Sequence, residues 1–555
     1  MTNVLNYESV VKSLIDDLKA IFNNYGLGGG GFEYKIMSEV FTYKLLNDKL
    51  IREIKIQFGY DENTNGSIEE FISNISDEDY EGFLAFLDET TAKMDRHHFL
   101  FNLFNQSEGN IHQLFDKTLL EISDLNKDIF AVNTSDGQRH NLFEAISEHV
   151  KKDSDGKNKF VKAIIERLSE ESFEALFEQN FDFFSHIFEY LIKDYNTDSG
   201  RYAEFYTPKF AGDIIARIMV KDNESVTNVK LNDPSAGSGM LLITLANRIG
   251  IDNCSLYSQD ISQKSSDFLR LNLILNGMTK SLDNIIQGDT LVDPYHKEND
   301  SLMKFNYIVA NPPFKNDFSS SIDTLENDIY TYQEEDTDDL TKRFFAGVPS
   351  VPKSKKDGMP IYLMFIQHIL ASLKDNGRAC IVVPSGFCTD SSKIALKIRE
   401  ALVDKNYLEG VIQMPSNIFS NTGTNVSIIS INKAKENDEV ILIDASGLGN
   451  KVKFDSGQRT VLSIEDEAKI IDTYHNKANL DNFSKKVTIS EIKENGYQIN
   501  PGRYFDVKFE ELLSGEELDN KINDLVSSLQ DSFSKSNELQ ENVFKKLGGI
   551  INERN

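Results

Sequence analysis

The chain has 555 residues, 40% of them hydrophobic and 26% charged, a composition that excludes disordered and fibrous classes and a length that exceeds one hydrophobic core. Its formal net charge of -29 makes the chain as a whole repel phosphate at long range, so either nucleic acid is not its substrate or a partner does most of the gripping. No apolar run approaches a bilayer span, the first residues carry no signal-peptide pattern, and Cys254, Cys380 and Cys388 show neither CxxC pairing nor metal-ligand spacing. These features predict a soluble, cytoplasmic, reduced protein of two or three domains with no structural metal and no membrane contact.

Residues 1–195 read as helical. Leu14, Leu18, Ile21 and Phe22 recur at helical spacing, as do Phe173, Leu176, Phe177 and Phe181. Gly28, Gly29, Gly30 and Gly31 are not followed by Gly-Lys-Ser/Thr, so they read as a hinge rather than a phosphate loop. His97 and His98 are adjacent, which on a helix puts them on different faces; they read as structural or exposed, not as ligands.

The rhythm changes after that. Strands are expected at 229–233, 255–260, 284–287, 307–310, 379–384, 408–413, 426–431 and 440–444, the earlier ones separated by helices. This alternation predicts an α/β domain over 196–450 with a parallel, doubly wound sheet, closed by an antiparallel hairpin at one edge. Thr207 and Pro208 look like the N-cap and first-turn proline of a helix running to Val220, and Gly250 and Gly277 sit at expected C-terminal caps. The polar segment 315–357, with Glu334-Glu335-Asp336 and Lys353-Ser354-Lys355-Lys356, reads either as a solvated loop or as a phosphate-facing one. Over 451–555 the chain ends in a long helix. Leu518, Ile522, Leu525, Leu529, Leu539 and Val543 fall on a 3–4 repeat, interrupted at Ser532 and Ser536, that favours burial against a partner.

Three constellations carry chemistry. The first is Asp233-Pro234-Ser235-Ala236-Gly237-Ser238-Gly239, set between a strand and the apolar helix start Met240-Leu241-Leu242. Its glycines let backbone N–H groups approach a ligand at the positive end of a helix. Leu242 stands where the dinucleotide fingerprint needs its third glycine, and Asp233 puts an anion beside the turn. Both suit a ligand with an ammonium and a sulfonium better than a pyrophosphate. The second is a carboxylate after each following strand, Asp260 and Asp289. Each alone can be a helix cap; in register they suit a nucleoside, accepting from ribose hydroxyls or an adenine amino group.

The third is Asn311-Pro312-Pro313-Phe314 at the end of the fourth strand. A ring-conjugated NH2 is a poor nucleophile. The Asn311 amide oxygen and the Pro312 carbonyl can accept its two hydrogens and aim its lone pair, the paired prolines hold these acceptors in place, and Phe314 offers a ring for a planar base.

Together these residues resemble the N6-adenine DNA methyltransferases, in the order cofactor motif before catalytic motif. They are most similar to the modification subunits of type I restriction–modification systems. The resemblance extends through Phe188 to Leu191, Ala203 to Pro208, Leu363 to Leu373, Gly377 to Pro384, Gln413 to Phe419, Thr422 to Thr424, Val426 to Asn432, and Gly496-Tyr497, Asn500-Pro501 and Arg503-Tyr504. It departs at Asp357 to Tyr362, where the family tends to place an acidic and an aromatic residue close together.

The resemblance implies a class I, Rossmann-like S-adenosylmethionine-dependent methyltransferase sheet between a helical N-terminal domain and a C-terminal assembly helix. It implies site-specific adenine methylation of double-stranded DNA, with Glu204, Phe205, Tyr206, Thr207, Pro208, Lys209, Asp233, Ser235, Ala236, Gly237, Gly239 and Asp260 around S-adenosyl-L-methionine and Asp289 near its adenine. Asn311, Pro312, Pro313 and Phe314 would hold the flipped target base. It also implies partners: a DNA specificity subunit, a second copy of the chain, and a restriction subunit in the full complex. A basic, sequence-reading partner would reconcile the acidic charge with a DNA substrate. The Asn-Pro-Pro-aromatic tetrapeptide alone also fits enzymes acting on RNA adenine or protein glutamine, and a scaffold that keeps the fold without catalysis is the other alternative. The long N-terminal region and the heptad tail favour the DNA enzyme.

Overall fold

The structure is a computed structural model and describes residues 2–28, 31–88, 91–105, 109–127, 132–134, 137, 139–174, 177, 207–299, 301–330, 342–418, 425–454, 457–505, 519–520, 522–530, 532–536 and 539–540. Two compact units emerge, Met1–Tyr504 and Phe505–Asn555.

The described strands are β1 (Val132–Thr134), β2 (Arg139–His140), β3 (Val229–Asp233), β4 (Cys254–Asp260), β5 (Ile285–Gln287), β6 (Lys297–Glu298), β7 (Ser301–Leu302) and β8 (Phe305–Ala310). They continue with β9 (Leu373–Pro384), β10 (Leu408–Gln413), β11 (Val426–Asn432), β12 (Glu439–Asp444), β13 (Asn450–Phe454), β14 (Gly457–Val461) and β15 (Ser484–Thr488). Eleven of them form one sheet in the order β15-β12-β10-β11-β9-β8-β3-β4-β5-β1-β2. From β5 to β9 every pairing is parallel, as helical crossovers require. β11 runs antiparallel to both β9 and β10. The expected antiparallel pair is therefore present but interior, because β12 and β15 extend the sheet beyond it.

Side chains alternate across the sheet. Tyr307, Val309, Cys380 and Val382 enter one core, and Ile308, Ala310, Ala379, Ile381 and Val383 enter the other. The first core takes Leu241, Leu242, Leu245 and Ala246 from the helix Met240–Ile249; the second takes Leu363, Ile366 and Ile369 from the helix Tyr362–Ser372. Both faces are thus covered and the carboxyl edge of β3, β4, β5 and β8 is left for the site.

The N-terminal stretch is mainly helical, with Leu14, Leu18 and Phe22 fully buried, Ile21 half-buried and Phe173 buried; Leu176 and Phe181 lie outside the described residues. It also contributes strand: β1 pairs in parallel with β5, so this region extends the sheet edge next to the site. Of the glycine run, Gly31 opens the helix Gly31–Phe58. His97 and His98 lie on a 3-10 turn, Arg96–His98, not on an α-helix, so their rings converge: both Nε2 atoms lie 3.1 Å from Glu121 Oε2. Hydrogen bonds from these two rings hold the Glu121 carboxyl down at about 2. His98 Nδ1 accepts the Asp95 N–H, so Nε2 of the neutral ring carries the proton and donates to Glu121, which closes that nitrogen to a metal.

The described parts of the segment 315–357, residues 315–330 and 342–357, pack into the fold. They contain the short helix Ile322–Glu326, and Phe318, Leu325 and Phe344 join Leu291, Met359, Met364 and Phe365 in a small core of their own. Glu334, Glu335 and Asp336 lie outside the described residues; Lys353, Lys355 and Lys356 are exposed. In the second unit the described residues are helical, and Ile522, Leu525, Val526, Leu529 and Phe533 are exposed apolar side chains along it; Leu518 and Val543 lie outside the description. Among the described residues no helix is long and apolar enough to cross a membrane.

Candidate active site

β3 delivers Asp233 to the carboxyl edge, and the chain turns at once. The Asp233 carboxylate Oδ1 accepts the Ser235 N–H at 3.0 Å, which tightens the turn. Gly237 and Gly239 take positive φ of 54° and 79°, a region open to glycine at little cost. At Gly239 a side chain is also excluded by space, since a Cβ would fall 2.0 Å from Leu269 Cδ1. The helix Met240–Ile249 starts here and ends at Gly250.

The neighbouring strand closes the turn from the other side. Asp260, at the end of β4, accepts the Gly237 N–H on Oδ2 at 3.0 Å and the Ser262 N–H on Oδ1 at 2.8 Å. Burial pushes Asp233 up to about 8, helped by the nearby Asp260 charge, and burial raises Asp260 as well. Two carboxyls so disposed favour a cationic or hydroxyl-bearing ligand. Ile261, the next residue, is 66% exposed, an apolar face beside that carboxylate.

On the far side of β3, β8 runs in parallel, with Asn232 opposite Ile308. That register sets Asn311 beside the glycine turn. One cleft is lined by Thr207, Asp233, Ser235, Ala236, Ser238, Met240, Leu241 and Asn311. It joins the first and third constellations. Ser235 Oγ, buried in its wall, has no hydrogen-bond partner among the described residues. An unpaired buried hydroxyl and two buried carboxyls fit the cationic and hydroxyl-bearing groups of S-adenosyl-L-methionine.

Pro208, not Thr207, is the N-cap of the next helix, Lys209–Met219, and no side chain caps it. Thr207 is instead buried against the Asn311 motif, where its Oγ1 accepts the Asn311 Nδ2–H at 3.1 Å. Pro312 is buried; Pro313 is half-buried; Phe314 is half-buried against the main core with part of its ring open. Asp289 does not line the cleft. Its Oδ1 caps the following turn, accepting the Leu291 and Val292 N–H groups. The tie from this loop to the glycine turn is Thr290, whose hydroxyl donates to the Pro234 carbonyl at 2.7 Å. Glu204, Phe205 and Tyr206 lie outside the described residues.

Arg343 has no signal in the sequence, yet it joins three segments around the site. It is buried, donates from Nε and Nη2 to Asp328, and from Nη2 to the Leu291 carbonyl at 2.6 Å. It also stacks on Tyr330 and Phe344 and touches His368 on the helix Tyr362–Ser372.

Residues 179–512 match the family described as N-6 DNA Methylase. The chain belongs to that family. This family member is 30% identical over 377 residues to the type I restriction enzyme MpnII methylase subunit of Mycoplasma pneumoniae, covering 66% of its own length and 64% of the relative's. It is 26% identical over 385 residues to the HindI methylase subunit of Haemophilus influenzae, 66% and 78% of the two chains. Its fold matches the type I restriction–modification methyltransferase subunit of Streptococcus thermophilus with a TM-score of 0.71 at 22% identity, over 91% of this chain and 100% of that one. The sheet is thus the class I, Rossmann-like methyltransferase sheet that the strand pattern and the motifs led one to expect, preceded by a largely helical region.

Proposed function

We propose that the chain methylates the exocyclic N6 of adenine in double-stranded DNA, with S-adenosyl-L-methionine as donor, as the modification subunit of a type I restriction–modification complex. The observation that carries this reading is the single cleft shared by the Asp233–Gly239 turn and Asn311. Family membership and the named relatives support it.

The Asp233–Gly239 turn and Asp260 would hold the donor, which when bound supplies an electrophilic methyl on a sulfonium. Asn311 and Pro312 act on the other reactant: the amide oxygen and the backbone carbonyl accept its amino hydrogens and turn the lone pair toward the cleft. Phe314, half-open, supports the base ring. The base must leave the duplex to reach this depth, which costs a few kcal/mol. No histidine lines the cleft among the described residues, in keeping with a proton that is lost late and needs no strong general base.

At a net charge of -29 the chain needs a partner to hold DNA. A specificity subunit would supply the basic surface and read the site, a second copy of this chain would act with it, and a restriction subunit would complete the assembly. The exposed stripe Ile522, Leu525, Val526, Leu529 and Phe533 suits docking on such a partner. The test is transfer of label from S-adenosyl-L-methionine to DNA lacking adenine methylation, with the chain alone and with its specificity subunit. N6-methyladenine only when both are present supports the reading; an unlabelled DNA alongside labelled RNA or protein overturns it.

A further inference from the structure

We propose that Thr207 is a positioning residue for the methyl-transfer step, acting through Asn311; the inference rests on the adenine-methylation reading above. Two independent observations lead to it. A Thr-Pro pair before a helix ordinarily spends its hydroxyl on the helix N-terminus, but this helix has Pro208 as N-cap and receives no side-chain cap. The freed hydroxyl is buried and lies 3.1 Å from Asn311 Nδ2, across 104 residues of chain.

The consequence is chemical. An amide presents a donor at one end and an acceptor at the other, and only the acceptor end can take a hydrogen from an amino group. Turned the wrong way, Asn311 would set its NH2 against the NH2 of the base. The Thr207 hydroxyl accepts from Nδ2, which holds the amide by its donor end and leaves the acceptor Oδ1 unspent. Asn311 makes no other side-chain hydrogen bond among the described residues, so the Thr207 hydroxyl is the contact that anchors its amide. Thr207 lies in the cleft wall with Asp233 and Ser235 as well, so a role in holding the donor is the competing assignment.

The two assignments separate in one experiment on the full chain assembled with its specificity subunit. Thr207→Val keeps shape and removes the acceptor; Thr207→Ser keeps the acceptor. The positioning role predicts that Thr207→Val lowers kcat on the order of 10- to 100-fold. Calorimetry on the same preparation should find S-adenosyl-L-methionine affinity within about twofold of the parent, and Thr207→Ser should restore most of kcat. A weakened donor affinity with unchanged kcat at saturation assigns Thr207 to the donor and overturns the proposal, as does a Thr207→Val enzyme that matches the parent in both. A parent enzyme that forms no N6-methyladenine overturns the function itself, whereas normal parent turnover with an unimpaired Thr207→Val overturns only the positioning role.

Discussion

Asp260 at the end of β4 accepts the backbone N–H of Gly237 at 3.0 Å, so a carboxylate on one strand holds the glycine turn that follows another. Its second oxygen holds Ser262 N–H, so each oxygen has its own donor. Asp260→Asn replaces one acceptor with an NH2 that faces a backbone N–H. A buried unsatisfied donor costs about 1–3 kcal/mol, which here falls on the shape of the turn. We expect donor affinity to fall roughly tenfold or more on that scale. Calorimetry with S-adenosyl-L-methionine checks this, and an unchanged Kd would remove Asp260 from the site.

Asn311 separates chemistry from donor binding. Asn311→Ala deletes the amide acceptor but leaves the Asp233–Gly239 turn and Asp260 intact. Turnover should become undetectable while the affinity for S-adenosyl-L-methionine stays close to the parent value. Near-normal turnover would show that the amide is not the acceptor.

Asp233 links the site to pH. Burial raises its carboxyl to about 8, against about 4 in an unfolded chain. The folded state therefore binds the extra proton, and the stabilisation from this group is complete below about pH 4 and lost as pH climbs toward about 8. A cationic ligand beside Asp233 favours the ionised form, so binding at neutral pH should release a proton. Titration calorimetry in buffers of different ionisation enthalpy reads that release directly; it should shrink in Asp233→Asn, and a binding heat independent of buffer in the parent would contradict it.

Arg343 and Asp328 form a buried ion pair in the segment after the Asn311–Phe314 motif, with side chains 1% and 10% exposed. Arg343→Ala strands the carboxylate and frees the Leu291 carbonyl. Breaking such a pair costs about 3–5 kcal/mol. The urea midpoint should fall accordingly; an unchanged midpoint would mean that Asp328 finds water or protonates without strain.

The C-terminal stripe bears on assembly alone. Leu525 and Leu529 are 65% and 57% exposed, so changing both to Asp costs the chain little stability. Co-purification with the specificity subunit should be lost while donor binding is retained. Intact co-purification would place the interface elsewhere.

The strands around the site were legible because β-rich runs punctuated by glycine and helix are local signals. The expected 229–233 and 408–413 coincide with β3 and β10, and the others differ at their ends by a few residues, most at β9, which begins at Leu373. The role of Thr207 was not legible as capping, because a Thr-Pro pair carries no mark of a partner far along the chain. The convergence of His97 and His98 was missed because a 3-10 turn changes the angle between adjacent side chains, and residue type does not announce that choice.

By itself the sequence determined the α/β alternation, the glycine turn behind Asp233 and the Asn311–Phe314 motif, since each is written in neighbouring residues and the backbone geometry they permit. Only the tertiary structure decided which of these meet. The parallel pairing of β3 with β8 brings Asn311 to the turn, the packing of Thr207 at the head of the helix Lys209–Met219 brings it to Asn311, and β1 joins the sheet edge at β5. Strand order and long-range packing arise from how buried surfaces fit across the whole chain, and no short window of residues contains that fit.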